Sequence, residues 1–157
     1  MNDASEAALR LKEAFPEKVE DMTTFRGDTT LLIRKEDLVG VGRFLKEEPE
    51  LAFDYLILVT AVDELPKEPR FAMFYHLYSM KYNQRLCLKV HLSSDEPVIE
   101  SVTSVWPTAN WHEREAFDLM GIEFLNHPDL RRIFMPDDWQ GHPLRKDYPL
   151  RGPERSG

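Results

Sequence analysis

Hydrophobic positions along residues 1–92 change period several times, and each change marks an element. Ala4, Ala8, Leu11 and Phe15 fall at helical spacing and predict an amphipathic helix over residues 4–15, stopped by Pro16. Residues 19–25 and 29–33 read as two strands around a tight turn at Arg26-Gly27-Asp28. Helical spacing returns over residues 35–47, where Leu38, Val41 and Leu45 share a face. Gly40 and Gly42 weaken that helix by roughly 1 kcal/mol each. Three strands follow. Residues 51–62 are apolar on both faces, as in a central strand, and residues 71–80 are rich in aromatics. A hairpin loop at residues 82–84 leads into residues 85–92, with Leu86, Leu88, Val90 and Leu92 inward and Cys87, Lys89 and His91 outward. The order α-β-β-α-β-β-β predicts an α/β fold of the α+β type, a two-layer domain over residues 1–96 with helices on one sheet face.

Pro97 opens a different pattern, a helical segment over residues 97–125. Residues 98–105 read as a short helix and residues 111–120 as a longer one. Asn110 is placed to cap the second, Glu113 to complete a capping box, and Gly121 to sit at C′. Arg114 and Asp118 are four apart and are expected to pair on its surface. Periodicity ends after Phe124, and residues 126–157 read as an extended strap. Its stretch HPDLRRIFMPDDWQGHPLRKDYPL holds four prolines, four basic and four acidic residues, and cannot build a core. Such a segment is made to lie on something else, a partner or the chain's own sheet, and substantial contact with a partner is favoured. Prolines hold it extended before docking, which lowers the entropy lost on binding. Arg131, Arg132 and Arg145 carry planar heads suited to carboxylates and carbonyls. Phe134, Trp139 and Tyr148 are residue types enriched at binding hot spots.

Charge sharpens this division. Residues 1–126 carry 14 Lys and Arg against 23 Asp and Glu, while residues 127–157 carry 6 against 5. An acidic body argues against binding nucleic acid or anionic lipid by bulk electrostatics. No apolar run spans a bilayer, and the amino terminus lacks the apolar stretch of a signal peptide. The single cysteine, Cys87, points to a reducing compartment; it is expected at a surface or interface, without a nucleophile's role.

Catalytic patterns begin and then break off. His112-Glu113-Arg114-Glu115 starts like the zinc-protease motif H-E-x-x-H, but the second histidine position is Ala116. The five histidines lie at least 15 residues apart, and His127 and His142, each before a proline, suit structural hydrogen bonding. One cysteine cannot hold an iron–sulfur cluster. Gly40-Val41-Gly42 lacks the third glycine of a dinucleotide loop, which falls on Leu45. Asp137 and Asp138 are explained by a turn after Met135-Pro136. No catalytic, cofactor-binding or metal-binding residue is assigned to this chain, and a binding or structural subunit is favoured over a free-standing enzyme.

From Trp106 onward the sequence closely resembles the C-type (30 kDa-type) subunit family of bacterial NADH:quinone oxidoreductase, respiratory complex I. The resemblance rests on Glu113, Arg114, Glu115, Asp118, Leu119, Gly121 and Ile122, then on His127 through Ile133 and Gly141 through Leu150. It implies a hydrophilic, non-catalytic subunit of the peripheral arm, bracing the large subunit that helps form the quinone pocket. Flavin and iron–sulfur clusters would then sit in partner subunits, and the chain would lie at the cytoplasmic face of the inner membrane, attached only through the complex. The partner interface is expected at Glu113, Arg114, Glu115, Asp118, His127, Asp129, Arg131, Arg132, Phe134, Trp139, His142, Arg145, Lys146, Asp147 and Tyr148. The rival readings are a homologous subunit of a membrane-bound [NiFe] hydrogenase or another dehydrogenase complex, and a metal-dependent hydrolase built on His112 and Glu113.

Overall fold

A computed structural model describes residues 4–151; the side chains of Ala4 and Ser5 and strap residues 152–157 lie outside the described part. The expected element order is present up to Leu92: α1 (Ala4–Ala14), β1 (Val19–Phe25), β2 (Asp28–Ile33), α2 (Leu38–Glu47, entered through a 3-10 turn at Lys35–Asp37), β3 (Tyr55–Asp63), β4 (Phe71–Ser79) and β5 (Gln84–Leu92). The strands form one sheet of order β1-β2-β5-β4-β3, antiparallel except for β2 beside β5. Inward residues Leu86, Leu88, Val90 and Leu92 meet Ala8 and Leu11 of α1 and Leu38, Val41 and Leu45 of α2 in one apolar core.

Five expectations are corrected: two in the sheet, one in the segment after Pro97 and two in α3. Strand β3 is an edge strand, not a central one, and begins only at Tyr55. Leu51 and Phe53 are buried, but in the loop before it. An apolar run shows that both faces can be covered; it does not say how many neighbours the backbone has. Leu58 and Val62 remain exposed on the strand, and the β3–β4 register shifts between Leu56 and Leu58, the kind of irregularity that blunts a sheet edge. Cys87 is buried, although its position alternates with the core-facing residues. It is flanked across the strands by Thr30 and His76, and burial pushes its thiol up to about 11.

Residues 98–105 do not form a helix. Val98–Glu100 is a strand, β6, paired in parallel with β7 (Glu123–Leu125), and turns follow it. Its β-branched residues suit a strand, and pairing with a segment more than twenty residues away overrides their local helical spacing. Between β6 and β7 runs α3 (Ala109–Met120), which packs against β3. Ile99, Val102, Trp106 and Phe124 join the same core as the large sheet.

Trp106 locks this addition. Its indole N–H donates to the Phe53 carbonyl at 3.0 Å, and its ring lies against Gly42 of α2. Gly42, which lowers the helix propensity of α2, is required by the ring: a Cβ there would come within 2.9 Å of two ring carbons. The exposed Gly40 meets nothing nearer than Lys18 Nζ at 3.9 Å. Gly42→Ala should therefore destabilise the chain by about 1–3 kcal/mol. Gly40→Ala should stabilise it by up to about 1 kcal/mol, and chemical denaturation of the two variants measures the contrast.

Candidate functional site: a strap pinned to the third helix

The features singled out in the sequence converge on α3. The helix ends as expected, with Gly121 in the left-handed region at φ 74° and the last turn closed by Gly121 N–H to Phe117 O and Ile122 N–H to Ala116 O. Its start is different. The N-cap is Thr108 and makes no side-chain cap; Asn110 lies inside the helix, and Glu113 forms no capping box. Glu113 instead points inward, fully buried. Its carboxylate accepts the Val102 N–H at 2.8 Å and the Ser101 hydroxyl at 2.6 Å, both from the segment after β6. The β6–β7 pairing brings that segment against the helix, so a position read locally as a cap becomes a tertiary anchor.

The expected surface pair of Arg114 and Asp118 is also absent, because both side chains are taken up by the strap. Arg114, buried and stacked 4.9 Å above the Trp111 ring, donates through Nε to the Arg131 carbonyl at 3.0 Å. A second nitrogen reaches the Arg132 carbonyl. Asp118 is fully buried. Its Oδ2 accepts the backbone N–H groups of Ile133, Phe134 and Met135 at 3.1, 2.7 and 3.0 Å, and Arg132 Nη1 lies 3.2 Å from Oδ1. Burial alone would raise this carboxyl. The three N–H groups and the Arg132 guanidinium outweigh it and hold the group below its ordinary value.

Further along, the strap covers the carboxyl end of the helix. The last carbonyls of a helix lack internal partners. Here the Asp118 carbonyl meets His142 Nδ1 at 3.0 Å, the Leu119 carbonyl accepts the Leu144 N–H at 3.0 Å, and the Met120 carbonyl accepts Arg145 Nε at 2.7 Å. The cationic Arg145 also suits the negative end of the helix dipole. Gly121 makes this approach possible, since a Cβ there would lie 2.6 Å from both Arg145 and His142 side-chain atoms. The Trp139 indole donates to the Tyr148 hydroxyl at 3.1 Å, closing the strap on itself.

The strap ends on a third anchor that sequence reasoning missed. Asp63, at the end of β3, and Arg70, just before β4, form a buried two-pronged ion pair at 2.9 and 2.8 Å. Asp147 joins Arg70 at 2.8 Å, and the Lys146 N–H donates to Asp63 at 2.8 Å. The Arg70 guanidinium holds the Asp63 carboxyl far below the usual range. A signal was present: an Asp closing one apolar strand and an Arg opening the next face each other across a hairpin.

At the root of the strap, the buried His127 ring lies between the Asn110 carbonyl, 3.2 Å from Nε2, and the Asp129 N–H, 3.0 Å from Nδ1. Both His127 and His142 thus make the structural hydrogen bonds expected of them. Asp129 and Arg131 pair with each other on the surface at 2.7–2.8 Å. Glu115 stays exposed, and Lys146 extends Nζ to the Leu65 carbonyl. Glu113 and Asp118, both fully buried, expose no surface of their own. Facing solvent are Trp111, Phe134 and Leu144, 64%, 63% and 56% exposed. Among the described residues no three His, Cys, Asp or Glu side chains converge as a metal site.

Replacing Asp118 by Ala strips four donors of their acceptor, which should cost about 3–5 kcal/mol and open Arg131 and Arg132 to trypsin. The sign of the pH effect follows from the lowered carboxyl: its stabilisation is present above the ordinary carboxylate value and lost as pH falls below it. The stability difference between the wild type and Asp118→Ala, read by chemical denaturation, should accordingly shrink below about pH 4.

Comparison with known proteins agrees with this geometry. Residues 31–154 match the family described as respiratory-chain NADH dehydrogenase, 30 kDa subunit. The C-type subunit of NADH-quinone oxidoreductase from Geotalea uraniireducens is 52% identical over 155 residues, covering 99% of this chain and 93% of the relative. Its counterpart from Geobacter sulfurreducens is 50% identical over 156 residues, covering 99% and 95%. Among solved structures, a trypsin-resistant fragment of Nqo5 superposes with a TM-score of 0.66 at 28% identity, over 81% of this chain and 99% of the fragment. A chain of the membrane-bound sulfane sulfur reductase, an archaeal respiratory membrane complex, superposes with a TM-score of 0.78 at 22% identity, over 93% and 85%, a likeness of fold alone. With the match spanning α3 and the strap, the chain belongs to the 30 kDa subunit family of respiratory-chain NADH dehydrogenase, which holds the C-type subunits of NADH-quinone oxidoreductase.

Proposed function

We propose that the chain serves as a non-catalytic peripheral-arm subunit of NADH:quinone oxidoreductase, bracing the large subunit that helps form the quinone pocket. Electron transfer from NADH to quinone is then a property of the whole complex, with flavin and iron–sulfur clusters in the partner subunits. The chain would sit at the cytoplasmic face of the inner membrane and be held there by its partners. No helix among the described residues is long and apolar enough to cross a membrane, which fits attachment through neighbours.

One observation carries this reading: the strap's polar groups are engaged with its own helix while Phe134 and Leu144 project outward. Isolated surface aromatics are ordinary. An aromatic held by a backbone N–H bonded to a buried carboxylate is pre-positioned, so a partner meets it without ordering a loose chain. The Arg131–Asp129 pair and the exposed Trp111 lie near the strap's beginning and extend the contact surface. The electron donor in this proposal rests on the sequence relatives, since the likeness to the sulfane sulfur reductase chain concerns the fold.

A useful disruption must spare the strap's internal anchors. Trp139→Ala with Arg145→Ala would break the Tyr148 and Met120 contacts and confuse folding with docking. Phe134→Ser with Leu144→Ser removes only outward groups. The double variant should retain the wild-type denaturation midpoint yet recover much less of the large subunit when a tagged chain is purified from its own membranes in mild detergent, with co-purifying chains identified by mass spectrometry. Wild-type recovery of that subunit by the double variant would sink the proposal. Recovery by the wild type of a nickel-containing large subunit in place of an NADH-binding flavoprotein would favour the hydrogenase-type complex.

A further inference from the structure

The two buried carboxylates of α3 live in opposite surroundings. Asp118 has a guanidinium and three backbone N–H groups. Glu113 has two neutral donors, and no lysine or arginine contacts its carboxylate among the described interactions. The nearest nitrogen of an ionisable group is His127 Nε2, 3.8 Å from Oε2. The Asp129 N–H donates to His127 Nδ1, which must keep a lone pair there, so the ring is neutral with its proton on Nε2. Tyr75 of β4 is the other titratable group facing this site; its hydroxyl is buried without a hydrogen-bond partner, and burial together with the Glu113 charge pushes it up. A fully buried carboxylate without a cation is costly unless it takes up a proton.

The hydroxyls beside it are arranged to deliver one. Ser101 Oγ lies 2.6 Å from Glu113 Oε2 and 2.8 Å from Thr103 Oγ1, and Thr103 is partly exposed. In the ionised state Thr103 donates to Ser101 and Ser101 donates to Glu113. If a proton arrives on Thr103 Oγ1, the Thr103 proton passes to Ser101 and the Ser101 proton to Glu113 Oε2. Every hydroxyl then points the other way: Glu113 donates to Ser101, and Ser101 to Thr103. The Thr103 N–H donates to Ser101 Oγ at 3.1 Å in both states, and no heavy atom need move.

We infer that Glu113, Ser101 and Thr103 form a reversible proton-binding site, with the proton held on the Glu113 carboxyl and exchanged with solvent through the two hydroxyls. Burial pushes the Glu113 carboxyl up to about 7, against the lowering pull of Ser101 and Val102, so the site loads and unloads around neutrality. The proton also tunes the root of the strap, because an ionised Glu113 attracts the His127 Nε2–H and a neutral one does not. The site depends on the chain's own fold and stands apart from the docking reading; a chain that bound no partner would still titrate.

The test uses the full chain, with glutamate carboxyls carbon-13 labelled and followed by infrared spectroscopy. A carboxylic-acid carbonyl band should be present at mildly acidic pH, vanish as pH rises through about 7, and be missing from Glu113→Gln. The amide introduced by that substitution would copy the neutral acid, its oxygen accepting the Val102 N–H and its NH2 donating to Ser101. The folded carboxyl keeps its proton to higher pH than the unfolded one, so its stabilisation is full below about 4.5 and lost by about 7. Between those values the wild-type unfolding constant should rise roughly tenfold per pH unit relative to Glu113→Gln. A band that disappears in the ordinary glutamate range overturns the site, and this wild-type result decides even if the variant fails to fold. In Thr103→Val the band should persist with slower proton–deuteron exchange after mixing into heavy water; an unchanged rate would overturn the hydroxyl route.

Discussion

One buried carboxylate organises the carboxyl-terminal part of this chain. Asp118 stands on the inner side of a helix and gathers three consecutive backbone N–H groups and a guanidinium from a segment without regular secondary structure. Such a segment has no ladder of its own to satisfy its backbone, so a fixed acceptor substitutes for one. From that point the rest follows in order. Arg114 holds the approach to it, Arg145 and His142 cover the carbonyls at the helix end, and Asp147 reaches across to the Asp63–Arg70 pair. The strap is therefore part of the fold, joined to the five-stranded sheet at its far end through the β3–β4 hairpin.

This arrangement changes what a partner has to do. A free proline-rich tail would lose its remaining freedom on docking, whereas a strap already pinned to its helix loses that freedom during folding. Its charged residues belong mainly to internal anchoring, while its apolar Phe134 and Leu144 stay exposed. For a subunit family built into a large respiratory complex, a pre-formed surface suits permanent contact. It also explains why a segment so dense in Arg and Asp carries little net charge: much of the charge is matched within the chain.

Glu113 and Asp118 also show how one helix can hold two acids in different states. Asp118 faces donors that favour the ionised form, while Glu113 faces neutral groups and a neutral imidazole, so the environment decides protonation where residue type does not. The five-residue offset between them separates the segment after β6 from the middle of the strap. The helix acts as the wall between a charged anchor and a site that takes up a proton.

Much was legible in the sequence. Period-two and helical spacing located α1, β1, β2, α2, β4 and β5, and Gly121 marked the end of α3, because those features depend on neighbours within a few residues. The motif from Trp106 onward identified the family, and the density of prolines marked a segment without helix or strand. Tertiary contact decided the rest. β3 became an edge because apolar composition does not count backbone partners. Residues 98–105 became a strand and turns because β7 supplied a partner beyond local range. Glu113 left the capping box, and Arg114 left Asp118, because stronger or more buried partners arrived from Ser101, Val102 and the strap. Asp63 and Arg70 were ordinary charges in the sequence and became an anchor only when the hairpin faced them to one another. Local spacing determines which face a residue can occupy. The long-range partner that a buried polar group must find is chosen only when the chain has closed around it.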